Sequence, residues 1–113
     1  MLRSRHAVIG LGLTLVSLLN VSMALADSLP AERQGQLERL LLQDCGSCHG
    51  MRLTGGLGPA LTRDAIAGKS RDSLIATVTH GRPDTAMPGW SALLSEQDIA
   101  WLVDRLLQGT PTP

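Results

Sequence analysis

Cys45-Gly46-Ser47-Cys48-His49 spells C-x-x-C-H, and its spacing has a chemical reason. Two thiols three residues apart reach the two vinyl groups along one side of a porphyrin and become thioethers. The following residue then lies under the iron, where its imidazole is a fifth ligand with little freedom. Neutral Gly46 and Ser47 leave the tight turn unhindered. The motif therefore predicts one haem c, covalently held by Cys45 and Cys48, with His49 on the metal. Three other uses of such a pair compete. A thioredoxin-like redox pair sits at a βα junction, and no βαβ pattern is present. A zinc site wants two more ligands at metal spacing; His80 is one candidate and there is no third cysteine. A disulfide across a two-residue loop gains little from closure entropy.

Working outward, the hydrophobic spacing predicts an all-α chain with long functional loops. Pro30 suits the first position of a helix over Ala31 to Asp44, with Leu37, Leu40, Leu41 and Leu42 including a stripe at i, i+3, i+4. A second helix over Arg71 to His80 takes Ser70 as its cap and stops at Gly81. A third over Glu96 to Gln108 opens on Ser95 and Asp98, a capping-box-like pair, and presents Ile99, Leu102, Val103 and Leu106 on one face. The glycine- and proline-rich stretches Gly50 to Leu61 and Gly81 to Gly89 read as irregular loops. No segment alternates convincingly as a strand.

The 113 residues leave room for one domain. Arg3, Arg5 and His6, the uncharged run Ala7 to Leu19 and the A-x-A of Ala24-Leu25-Ala26 read as a secretory signal over 1–26. That leaves a domain over 27–109 and a short flexible tail over 110–113. The apolar run is too short to span a membrane comfortably, so no stable membrane insertion is expected once the signal is removed. With Arg3 and Arg5 gone, eight basic side chains face ten acidic ones, a net charge of −2. That balance argues against nucleic acid, which needs a basic face. The chain has no Phe or Tyr and only Trp90 and Trp101 as large aromatics, a poor supply of core side chains that a buried macrocycle would make good.

The sixth iron position has three candidates. Met51 is two residues past His49, too close to wrap round the macrocycle, and is expected to pack beside it. Met87 is 38 residues downstream in a loop stiffened by Pro88, with ample reach, and is the favoured ligand. His80 ends a helix and is the rival, with a role as a solvated partner of the helix dipole as its alternative. Pro59 lies ten residues after His49, and its carbonyl can accept the second ring N–H of that histidine; the alternative is a simple turn. Trp90 and Trp101 could each lay an indole against the haem, Trp90 with its N–H towards a propionate. Arg52, Arg63 and Arg82 are expected to be solvated.

Taken together, C-G-S-C-H-G (45–50), G-L-G-P-A-L (56–61) and A-M-P-G-W (86–90), followed by a final amphipathic helix, resemble the class I cytochrome c family over essentially all of the chain after residue 26. The resemblance implies three to four helices wrapped round one covalently bound haem, the first and last crossing near a right angle. By residue match it makes Cys45 and Cys48 the thioether carriers, His49 and Met87 the axial ligands and Pro59 the support of His49. One departure is visible. Family members often place an aromatic ring at the helix crossing, where this chain has Leu41 and Arg105 or Leu106, with Trp101 one turn away as a substitute. The longer patterns D-C-G-S-C-H-G-M-x-L-x-G-G-L-G-P-x-L and H-G-R-P-x-T-x-M-P-x-W are similar to the small periplasmic cytochromes encoded with the cytochrome cd type nitrite reductase of denitrifying bacteria.

Met/His ligation fills both axial positions and raises the reduction potential, which points to single-electron transfer rather than to O₂ or peroxide chemistry. The expected protein is a monomeric periplasmic carrier with redox protein partners, a nitrite reductase among them, docking through the haem edge near Cys48, with Met51 and Leu53 as apolar contacts. An accessory role in maturing the reductase's special haem and a ligand sensor with a labile Met87 are the alternatives. No acid/base pair, nucleophile triad or phosphate loop argues for independent catalysis.

Overall fold

A computed structural model describes residues 28–110 of the chain; the expected signal and the last residues of the expected tail lie outside them. Leu37 and Leu41 are both buried, and the same helical stripe continues at +4 and +3 into Cys45 and Cys48. That continuity decides the first element. α1 (Ala31–Leu40) runs into a π-helical turn (Leu41–Cys45) and then α2 (Gly46–His49), so the helical path carries on five residues past the predicted end at Asp44. A π turn inside a helical path is uncommon and recurs at functional positions.

α3 (Arg63–Ile66) is a single turn that the sequence reading left as loop. Thr62 caps it, accepting from the Ala65 N–H at 3.3 Å. α4 (Arg71–His80) and α5 (Glu96–Gln108) have the predicted bounds, with Ser70 accepting from the Ser73 N–H at 3.2 Å. Among the described residues there is no strand, and no helix is long and apolar enough to cross a membrane.

The core is aliphatic. Leu37, Leu41, Leu53, Ile66, Leu94, Ile99, Leu102 and Leu106 form one cluster. Each buried aliphatic side chain of this kind contributes roughly 2 kcal/mol. Trp101 packs only partly buried against the cluster.

α5 is the hub. Its inner face supplies Ile99, Leu102, Val103 and Leu106, and its outer edge is tied to its neighbours by three arginine–carboxylate pairs. Arg33 on α1 grips Asp98 through two hydrogen bonds of 3.0 and 2.7 Å. Arg105 meets Glu38 on α1 at 2.8 Å, and Arg71 on α4 meets Asp104 at 2.6 and 2.9 Å. The second and third pairs are more open to solvent and contribute little. Asp98 differs, because it is buried and works twice. It closes both arms of the capping box with Ser95, at 3.0 and 3.1 Å, while it receives Arg33.

The Arg33 guanidinium, with the Ser95 bonds adding to it, holds the Asp98 carboxyl down at about 2. A carboxyl lowered on folding stabilises above its unfolded value near 4, and that contribution is lost as pH falls through about 2. Asp98→Asn is therefore expected to cost about 1–3 kcal/mol at neutral pH and to flatten the loss of stability between pH 4 and 2. Denaturant melts of both proteins across that window check this.

Candidate functional site

The helices close round a slot rather than a filled centre. A cavity of about 430 Å³ opens between α2, α3, α4, α5 and the two long loops. Its size falls in the range of cofactor sites, roughly 300–1,000 Å³. The wall is largely aliphatic, including Leu41, Leu61, Ile66, Leu74, Val78, Leu102, Val103 and Leu106. Into this wall the fold brings Cys45, Cys48, His49, Pro59, Met87 and Trp90 together. His80 and Trp101 do not line it.

The position of His49 is set by the loop that follows it. Gly50 turns the chain at φ +95°, and the loop folds back on the end of α2. The Gly55 N–H donates to His49 O and the Gly58 N–H to Cys48 O, both at 2.8 Å. The returning backbone is pressed against the imidazole, since a Cβ on Gly58 would lie 2.7 Å from His49 Nδ1 and Cε1. The next carbonyl, Pro59 O, lies 2.7 Å from His49 Nδ1. A carbonyl only accepts, so the ring proton sits on Nδ1 and donates to Pro59. In the neutral ring this leaves the lone pair on Nε2, the state in which an imidazole binds a metal.

The loop owes this path to Leu53, which takes a left-handed conformation at φ 56° with its side chain 1% exposed. A non-glycine residue holds such a conformation, at a cost of order 1–3 kcal/mol, only where its surroundings over-determine it. Here the burial of the leucine does so, together with 2.8 Å bonds from its N–H to Gly50 O and from the Leu61 N–H to its carbonyl. Leu53 is thus core, and the expectation that it forms a docking contact is corrected. Met51, expected beside the macrocycle, lies off the cavity wall and is 70% exposed.

Met87 reaches the cavity from the other loop, 81–90, half-buried. That loop leaves α4 through Gly81, and the Trp90 N–H donates back to Val78 O at 2.9 Å. The return places the Trp90 ring on the cavity wall. Burial, with Asp44 adding to it, pushes the Cys45 thiol up to about 11. Redox-pair or metal-ligand thiolates need the opposite shift.

Two cations line the wall, Lys69 and Arg82. Arg82 is exposed, as expected of a solvated side chain. Sequence reasoning missed Lys69, which reaches the wall because α3 turns the chain, and no hydrophobic period announces that turn. Arg52 and Arg63 do not line the cavity. The residues present fit a haem c: a macrocycle-sized apolar slot, two adjacent cysteines, an imidazole with a free Nε2, a thioether, and cations for carboxylates.

Residues 32–104 match the family model described as cytochrome C oxidase, cbb3-type, subunit III. The chain is 73% identical to a cytochrome c55X of Stutzerimonas stutzeri over 110 residues, covering 97% of each chain. Among solved structures it is similar to a c-type cytochrome NirC, at TM-score 0.72 and 65% identity, covering 75% of this chain and all of that one. It is also similar to the dihydro-heme d1 dehydrogenase NirN in complex with DHE, at TM-score 0.60 and 34% identity, covering 66% of this chain and 16% of that one.

Gly58→Ala is expected to drive a methyl into the His49 ring and to part it from Pro59, lowering stability by about 1–3 kcal/mol. Thermal unfolding checks the loss. The NMR signal of the His49 Nδ1 proton checks its cause, and an unshifted signal would exonerate the clash.

Proposed function

The chain belongs to the class I c-type cytochromes, electron-transfer proteins that carry one covalent haem c, and from that premise we propose that it is a periplasmic single-electron carrier serving a dissimilatory nitrite reductase. In this reading Cys45 and Cys48 carry the thioethers, His49 Nε2 and Met87 Sδ are the axial ligands, Pro59 O orients His49, and Trp90 packs against the macrocycle.

The observation that carries the reading is the convergence of two fixed groups on one apolar cavity. His49 has its donor nitrogen freed by the 2.7 Å bond to Pro59 O, and Met87 is held by a loop bonded to itself and to α4. When bound, the haem supplies an iron that changes charge by one electron. Held by both His49 and Met87, the iron would have no place for a substrate and would change charge with little rearrangement. The aliphatic wall excludes water and favours the less charged, reduced state. The basic start, apolar run and A-x-A of residues 1–26 support a periplasmic place, where a covalent haem is matured.

At the cavity rim Leu57 is 91% exposed and adjoins Gly58 and Pro59. Such an exposed apolar side chain offers a contact of the kind that weak redox encounters use. Such encounters suit a monomeric shuttle, which must release its partner after each transfer.

A second reading has its own support. A domain resembling this chain occupies about a sixth of an enzyme whose name describes oxidation of dihydro-haem d1. A free-standing domain of that kind would exchange electrons during maturation of the reductase's haem. Stopped-flow mixing separates the two readings. Fast, saturable oxidation of the reduced protein by a cytochrome cd nitrite reductase supports the carrier. Transfer only with a dihydro-haem d1 dehydrogenase moves the assignment to maturation.

Met87→Ala is expected to abolish the weak long-wavelength sulfur-to-iron band, lower the reduction potential and let carbon monoxide bind the reduced protein. A wild-type band and potential in that variant would remove Met87 from the iron.

A further inference from the structure

Met87 sits in a loop whose ends are joined by its own backbone. The Arg82 N–H donates to Met87 O at 3.2 Å, and the Thr85 N–H donates to Arg82 O at 3.3 Å. Gly81, at φ +69°, lets the end of α4 come against this loop so closely that a Cβ there would lie 2.5 Å from Met87 O. These are main-chain features and would serve any sequence that turned here.

One side chain adds to them. Thr85 Oγ1 donates to Arg82 O at 2.8 Å and accepts from the Met87 N–H at 3.3 Å. A single hydroxyl thus ties the start of the loop to the amide of the residue that presents the thioether, and Thr85 itself lines the same cavity. Nothing in the turn geometry demands this. Asp84 supplies the left-handed apex at φ 61°, and the N–H of residue 85 closes the turn without its hydroxyl.

We infer that Thr85 is a positioning residue: its hydroxyl, acting through the backbone of Arg82 and Met87, holds the Met87 thioether in place and sets how readily an outside ligand displaces it. The inference rests on the reading of Met87 as an axial ligand. A thioether is a weak ligand, so its hold on a metal depends on what it costs to free the loop that bears it. A displacing ligand binds only the freed state, and its apparent affinity scales with the population of that state. Losing the net worth of one such hydrogen bond raises that population about tenfold.

The test is titration of the oxidised holoprotein with imidazole, at a pH where imidazole is neutral, followed in every variant by the shift of the main haem absorption band and, where Met87 is present, by the loss of the sulfur-to-iron band. Thr85→Val keeps the shape and removes the hydroxyl, Thr85→Ala removes it without the second methyl, and Thr85→Ser restores it. Imidazole is expected to bind Thr85→Val and Thr85→Ala about tenfold more tightly than the wild type, and Thr85→Ser within twofold of it. Met87→Ala should bind it most tightly of all. Only Thr85 variants with the wild-type c-type spectrum and far-UV circular dichroism are compared, Met87→Ala is required only to carry covalent haem and the wild-type circular dichroism, and Thr85→Ala serves alone if Thr85→Val does not accumulate.

If Met87→Ala tightens imidazole binding while Thr85→Val and Thr85→Ala stay within twofold of the wild type, the inference is overturned and the ligand assignment stands. Equal tightening in Thr85→Ser also overturns it, because the hydroxyl would then be immaterial. No change in Met87→Ala sinks the ligand assignment and the inference with it.

Discussion

A chain with two tryptophans, no phenylalanine and no tyrosine has few large side chains with which to fill the space between its helices. This shortage is the constraint on which the architecture depends. Beside one buried aliphatic cluster, the helices turn further aliphatic side chains towards a common slot of about 430 Å³. A cofactor held there would cover apolar surface that protein packing alone leaves open. The two cysteines lie on the same helical stripe, Leu37, Leu41, Cys45 and Cys48, that builds the first packed face.

The two groups nearest the functional reading are both held by backbone rather than by a bulky packed shell. His49 is flanked by a glycine with no room for a methyl and is oriented by a proline carbonyl. Met87 is carried by a loop whose hydrogen bonds run to itself and to the end of α4. Short main-chain bonds set a direction without adding bulk. The strain of a left-handed Leu53 is tolerated in the first loop because its side chain is a fixed part of the core.

α5 stands behind both loops. It contributes Leu102, Val103 and Leu106 to the cavity wall, and its first turn is locked to α1 through Asp98. One buried carboxylate that caps a helix and pairs with an arginine 65 residues away joins the local and the global parts of the fold. It makes the placement of the distant final helix depend on α1, whose path continues through the π turn and α2 that bear the cysteines. The open pairs Glu38–Arg105 and Arg71–Asp104 follow the same logic with less weight, since solvent screens them.

By itself the sequence determined the chemistry and the local structure. C-x-x-C-H named the cofactor, and the caps Ser70 and Ser95 with the stops Gly81 and Gly109 marked α4 and α5 to the residue, because caps and periodicity are written in near neighbours. The motif order placed the chain in its family. Tertiary structure decided what depends on distant partners. These include the π turn that carries the first helical path through His49, the burial of Leu53 and the pairing of Arg33 with Asp98. They also include the arrival of Lys69, Arg82 and Thr85 at the cavity and the exposure of Met51. A loop's path is fixed by hydrogen bonds to whatever the fold brings beside it, and no repeating pattern within 50–61 or 81–90 encodes which atoms those will be.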